Sequence, residues 1–182
     1  MIIHTLGPAE TDSCEAASDY LRHQCDKGTL VLHDSFESVI NHLDAFVGDF
    51  LLIPAAFKSS RRNIDWADVH YGCLEQLKLV DCFHGQLDPL VLVRRKDAAH
   101  AIAYTHPATA ALLKKYLQNS DRSVEIRYTD SKYLAYQNYR LNHAQLVVTN
   151  KKIISLGEQE TIEKTYAVDM VWCVYKILKR SR

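Results

Sequence analysis

The chain has 182 residues, of which 47% are hydrophobic and 24% charged, proportions close to those of ordinary globular proteins and far from disordered, fibrous or disulfide-scaffold ones. That length supports one well-buried core, or two small lobes sharing one, and excludes a string of independent domains. Lysine plus arginine and aspartate plus glutamate both number 22, so no net field draws the protein to nucleic acid or to anionic lipid.

The basic runs Lys58–Arg62 and Lys176–Arg182 read as a solvated loop and a frayed tail. Five cysteines (Cys14, Cys25, Cys73, Cys82, Cys173), an odd number with no Cys-x-x-Cys pair, predict reduced structural thiols rather than a disulfide framework or a zinc knuckle. The opening Met1–Leu6 lacks a basic stretch, and its apolar run is too short for a signal peptide or a membrane span. A cytoplasmic location is expected.

In chain order, short β-branched runs alternate with stretches of helical period, the signature of parallel βαβ units. Strand Ile2–Leu6 is followed by a helix from about Ser13 to Gln24 and strand Thr29–His33. Phe36, Val39, Ile40, Leu43, Phe46 and Val47 fall at spacings of three and four, which predicts one face of a helix. Phe50–Ile53 is a buried strand closed by Pro54. Lys58–Ala67 reads as a loop, then Gln76–Phe83 and Leu90–Val93 as strands. The pattern restarts with strand Ala101–Tyr104, helix Pro107–Leu117, strand Val124–Tyr128, helix Asp130–Tyr139 and strand Gln145–Val148. A short helix, Thr161–Thr165 and an apolar run Met170–Ile177 that rejoins the first lobe complete it. The expected lobes are about 1–95 with 166–182, and 96–165. Such an α/β fold takes small ligands beyond the carboxyl ends of its strands.

Three strand-to-helix turns carry hydroxyls. Thr11 and Ser13 follow the first strand; His106 and Thr109 follow Tyr104 with Pro107 at the first helical position; Thr129, Asp130 and Ser131 open the next helix. Free amides and hydroxyls at such turns receive a carboxylate or phosphate, or the same hydroxyls merely cap their helices. His106 is a candidate proton donor or carboxylate partner. Tyr133, Tyr136 and Tyr139 suit a cleft wall or core packing, with packing preferred. No metal spacing, phosphate loop, nucleophile elbow or dinucleotide fingerprint is found.

Thr5-Leu6-Gly7-Pro8 with Thr11, Ser13 and Ala16-Ala17 resembles the Gly-Pro-Glu-Gly-Thr-x-Ser-x-x-Ala-Ala opening of prephenate dehydratases. Leu32–Ser38, Ile53-Pro54, Thr105-His106-Pro107 and Val148-Thr149-Asn150 follow in family order, closest in pattern to the prephenate decarboxylase branch of bacilysin biosynthesis. The resemblance covers nearly the whole chain and implies a two-lobed, periplasmic-binding-protein-like α/β fold.

The departures are informative. Where dehydratases carry Asn-Phe-Thr-Arg-Phe, with a threonine that helps expel the substrate hydroxyl, this chain has Asp169-Met170-Val171-Trp172-Cys173. Val171 has no proton to give and Trp172 cannot replace arginine as a carboxylate clamp. Ala9 and Glu10 stand where the family has Glu and Gly, and Ala55–Lys58 lacks the usual polar pair, leaving Ser59 or Arg61 to compensate. Few residues follow the last strand, so no ACT domain and no feedback by phenylalanine are expected.

The resemblance therefore implies a cytoplasmic carboxy-lyase of secondary metabolism, a homodimer acting on a small anionic substrate without metal or organic cofactor. Thr11, Ser13, Ser59, Thr109, Thr129 and Ser131 are expected to bind substrate, with Val171 and Trp172 desolvating the departing carboxylate and His106 orienting or protonating the ring. Two rivals stand beside it: a lyase of another pathway, for example tropolone-type, and a non-catalytic binding protein for an aromatic acid.

Overall fold

The computed structural model describes residues 1–24, 27–120 and 123–180. They form two compact units, Met1–Gln86 with Asp169–Arg182, and Leu87–Val168. Each is built on a five-stranded sheet.

In the first unit β1 (Ile2–Leu6), β2 (Thr29–His33) and β3 (Phe50–Pro54) are parallel, while β4 (Leu77–Gln86) is joined to them through the last strand of the chain, Asp169–Ile177. That last strand runs antiparallel to both β3 and β4. Helix α1 (Asp12–His23) forms because Thr11 caps it and because Asp12 and Glu15 at its start and Arg22 and His23 at its end match the helix dipole. The opposite face of the sheet carries the core of Leu6, Phe36, Val39, Leu51, Ile53, Phe57, Cys173 and Tyr175.

Two local readings are corrected in this unit. The expected helix over Phe36–Val47 is only α2 (Phe36–Ile40) followed by a 3-10 turn, Leu43–Phe46. Phe36, Val39 and Leu43 are buried as the periodicity requires, but Val47 is exposed. Helix α3 (Trp66–Gly72) was not foreseen. Its signal is local rather than periodic: Asp65 and Asp68 make a reciprocal capping box, and Val69 is its buried residue. The tail also differs, since Lys176 and Ile177 belong to the last strand and the Leu178 N–H donates to the Gln76 carbonyl; positions 181–182 and Cys25 lie outside the described residues.

The second unit orders its strands as Glu125–Tyr128 (β7), His100–Thr105 (β6), Ala144–Asn150 (β8), Leu90–Arg95 (β5) and Glu160–Tyr166 (β9), which leaves Asp169–Ile177 as β10. The β7-β6-β8 part is parallel, whereas β5 is antiparallel to both β8 and β9. Both sheets are thus mixed, not purely parallel. Residues 90–95, placed by sequence in the first lobe, lie in the second unit, because β5 pairs along its length with β8 and β9. Pro107–Thr109 makes a 3-10 turn before α4 (Ala110–Gln118), and α5 spans Lys132–Leu141. Tyr136 and Tyr139 pack in the core with Val91, Val93 and Ile102.

Candidate functional site

Strand direction collects the candidate residues at one edge of each sheet. In the first unit, the carboxyl ends of β1 and β3 meet the amino end of the antiparallel β10, where Trp172 is the register partner of Pro54. Thr11 and Ser13 follow β1, Ser59 follows β3, and Val171 and Trp172 lie in the first half of β10.

The hydroxyls here hold their own backbone. Thr11 Oγ1 donates towards the carbonyls of Leu6 at 2.8 Å and Pro8 at 2.9 Å, and accepts the Cys14 N–H at 3.2 Å. This is the capping alternative, and the buried Asp12 carboxyl occupies the first turn of the same helix, where an incoming anion would meet a like charge. Ser59 Oγ accepts the amides of Arg61 at 3.1 Å and Arg62 at 2.8 Å, fastening the loop after β3. Ser13 is buried beside Thr11.

Val171 and Trp172 do not form one apolar wall. Consecutive strand residues point to opposite faces; Val171 is 46% exposed while Trp172 is 2% exposed, close enough to Gly85 that a Cβ there would meet the indole at 3.5 Å. The Val171 carbonyl accepts the Ala55 N–H, which ties the start of the β3 loop to β10.

In the second unit, the corresponding edge brings together His106, Thr109, Thr129, Ser131 and the buried Asn150. Thr109 Oγ1 lies 2.9 Å from Thr105 Oγ1 and donates to the His106 carbonyl at 3.0 Å. Thr129 Oγ1 donates to the Ser131 carbonyl, and Ser131 Oγ accepts the Leu134 N–H as the cap of α5. His106 Nδ1 accepts the Ala108 N–H at 3.2 Å, so the ring's own proton sits on Nε2. Burial, followed by the positive charge of Lys132, pushes the His106 pKa down to about 3 against the opposite pull of Asp130. His106 is therefore a neutral Nε2–H donor near neutral pH. Of the two roles expected for it, orienting or protonating the ring, a neutral ring with its proton on Nε2 suits the orienting of an acceptor.

Sequence reasoning assigned no role to Lys132, Thr105 or Asn150. Lys132 directly follows Ser131 in a turn already singled out, and Asn150 ends the Val148-Thr149-Asn150 run, so position after a strand or cap was the available signal. It also missed a chain in the first unit, Asp49–His4–His33, centred on the buried His4, whose members are far apart in sequence. Among the described residues, no group of three His, Cys, Asp or Glu side chains is arranged to hold a metal ion, and no helix is long and apolar enough to cross a membrane. A hollow of about 280 Å³ lined by Arg95, Asp97, Arg140 and Gly157 to Glu160 lies at the other edge of the second sheet.

No known family model and no curated protein sequence matches the chain. Solved structures do. Prephenate dehydratase from Arthrobacter aurescens, crystallised with L-Phe, aligns over 100% of this chain and 61% of its own length at 12% identity and a TM-score of 0.57. The prephenate dehydratase of Staphylococcus aureus aligns over 99% and 67% at 15% identity and a TM-score of 0.55. An ABC transporter structure from Parabacteroides distasonis aligns over 96% and 65% at 16% identity and a TM-score of 0.59. The chain thus spans about two thirds or less of these proteins. At such identities the likeness is one of fold: the α/β fold of prephenate dehydratases and periplasmic-binding-protein-like domains, which the sequence resemblance implied and the order of elements agreed with.

Proposed function

We propose that the chain is a carboxy-lyase that removes carbon dioxide from prephenate, or from a closely related anionic ring acid, without aromatising the ring. The observation that carries this reading is Val171 at the exposed start of β10, in the stretch where dehydratases by resemblance present a proton-donating threonine. With no donor for the ring hydroxyl, that group stays. The bond from ring carbon to carboxylate breaks, carbon dioxide leaves, and its electron pair moves through the ring to an olefin carbon, which takes a proton from solvent or from the substrate's own hydroxyl.

The second unit's edge offers the neutral His106 Nε2–H to an acceptor oxygen, with Lys132 providing positive charge nearby and Thr109, Thr129 and Ser131 providing polar surroundings. At the first unit's edge, Thr11, Ser13 and Ser59 are the polar groups, Trp172 an apolar one. A low-dielectric setting favours neutral carbon dioxide over the carboxylate. The chemistry asks for no metal or organic cofactor. A cytoplasmic homodimer serving secondary metabolism, as in antibiotic biosynthesis, is the setting this reading implies.

The test is to incubate the purified protein with prephenate at neutral pH and follow carbon dioxide and the ultraviolet spectrum together. Carbon dioxide with a non-aromatic product supports the reading; phenylpyruvate above the uncatalysed rate overturns it. One observation favours a second reading, a binding protein for an aromatic acid: the hydroxyls of Thr11 and Ser131 cap their own helices and His106 is held neutral. Calorimetric binding of prephenate or phenylpyruvate without turnover identifies that case.

A further inference from the structure

Independently of the substrate, we propose that Cys82 and Cys173 are a redox-active dithiol that closes to a disulfide on exposure to a peroxide. The two residues are direct register partners across β4 and β10, and their sulfurs lie 3.8 Å apart. Directly opposed residues of an antiparallel pair have Cα atoms about 4.5–5.5 Å apart, inside the range of roughly 4.4–6.8 Å that a disulfide spans. The thiols therefore need mainly side-chain rotation and a small approach of the strands. β4 can make that approach: it is the edge strand of its sheet, and the ladder already shifts register next to the pair, between Val174 and Tyr175.

The two thiols differ in the way such a pair requires. Cys82 is exposed and reaches the oxidant first, whereas Cys173 is buried in the core. Burial and the neighbouring Cys82 push the Cys173 thiol up to about 12, with the Trp66 indole pulling the other way; Cys173 is thus the resolving rather than the attacking thiol. Cys82 Sγ attacks the peroxide O–O bond, giving a sulfenic acid and one water. Cys173 Sγ then attacks Cys82 Sγ, and its proton leaves with the hydroxyl as a second water. Two electrons pass from the two thiols to the peroxide. The product staples β4 to β10, the strand that carries Val171 and Trp172.

The experiment exposes the full chain to stoichiometric hydrogen peroxide, alkylates free thiols after unfolding, and maps the peptides by mass spectrometry. A linked Cys82–Cys173 pair lighter by two hydrogens, reversed by dithiothreitol and absent from Cys82→Ser, is expected. A variant with Cys14, Cys25 and Cys73 all changed to serine should still form it. Because Cys82 is exposed, Cys82→Ser leaves the fold intact, which circular dichroism checks. Cys173 recovered fully alkylated, whether Cys82 is unmodified or oxidised to a sulfinic acid, overturns the proposal.

Discussion

Asp49 Oδ2 lies 3.1 Å from His4 Nε2, and the other nitrogen of that buried ring lies 2.9 Å from His33 Nε2. The carboxylate accepts, so His4 carries its proton on Nε2 and its Nδ1 accepts from His33. One side chain on the loop before β3 thereby fixes the tautomers of two histidines on β1 and β2, both packed on Phe46. Asp49→Ala leaves His4 buried with an unmatched N–H and should cost about 1.5–3 kcal/mol, the range for hydrogen bonds to charged groups. Urea denaturation of the two proteins measures it.

Stability should fall on acidification from about pH 6.5. Burial lowers the pKa of His33, helped by His4, and takes that of His106 from 6.5 to about 3. A histidine with a lowered folded pKa binds fewer protons folded than unfolded between the two values, so acid favours unfolding and the stabilisation is full only above the unfolded value. Glu163 adds to this lower down: burial pushes its carboxyl up, but bonds from Arg94, Tyr116 and Thr161 outweigh it and hold it below 4.5. Its contribution is present above 4.5 and is lost as pH falls. Urea midpoints that rise between pH 4 and 7, with a His106 proton resonance that does not titrate above pH 5, are the expected results.

The central strands were legible because they are short apolar runs that a sheet buries on both faces, as at Phe50–Pro54 and Ala144–Asn150. So was the return of the last strand to the first unit. The 36–47 stretch was misread because its spacings fit both a single helix and a helix followed by a 3-10 turn, and burial in the core is satisfied either way. The candidate turns were found, but not the use of their hydroxyls, since Thr11 and Ser131 look the same in sequence whether they cap a helix or face a ligand. Asp49–His4–His33 was out of reach because three strands must pair before those residues meet.

The opposite edge of the second sheet holds a buried ion pair. Arg95 Nη2 donates to Glu160 Oε1 at 2.6 Å, Gly157 N–H donates to Oε2 at 2.8 Å, and the Arg95 guanidinium lies 5.1 Å from the Tyr139 ring centroid. Both side chains are largely buried, and without Arg95 the Glu160 carboxylate keeps the longer contact to the half-exposed Arg140, 3.6 Å from Oε2, so its charge is left under-compensated. Arg95→Met should destabilise the protein by about 3–5 kcal/mol, whereas the double change Arg95→Met with Glu160→Leu should recover part of the loss. A four-protein denaturation cycle separates the pair's coupling from simple loss of packing.

Val171→Thr restores to the start of β10 the proton-bearing side chain that dehydratases carry in this stretch. Val171 is half exposed and its neighbour Trp172 stays buried, so the change should alter stability by no more than about 0.5 kcal/mol. A well-placed general acid is worth roughly 100- to 10,000-fold in rate, so even imperfect placement should leave phenylpyruvate formation from prephenate measurably above that of the parent chain. Chromatographic separation of phenylpyruvate from the non-aromatic product gives the ratio directly. A ratio that rises in Val171→Thr, the near-isosteric change, but not in the hydroxyl-free control Val171→Ala ties product choice to the hydroxyl; an unchanged ratio with unchanged turnover means that this position does not reach the ring hydroxyl, and the reading built on Val171 falls.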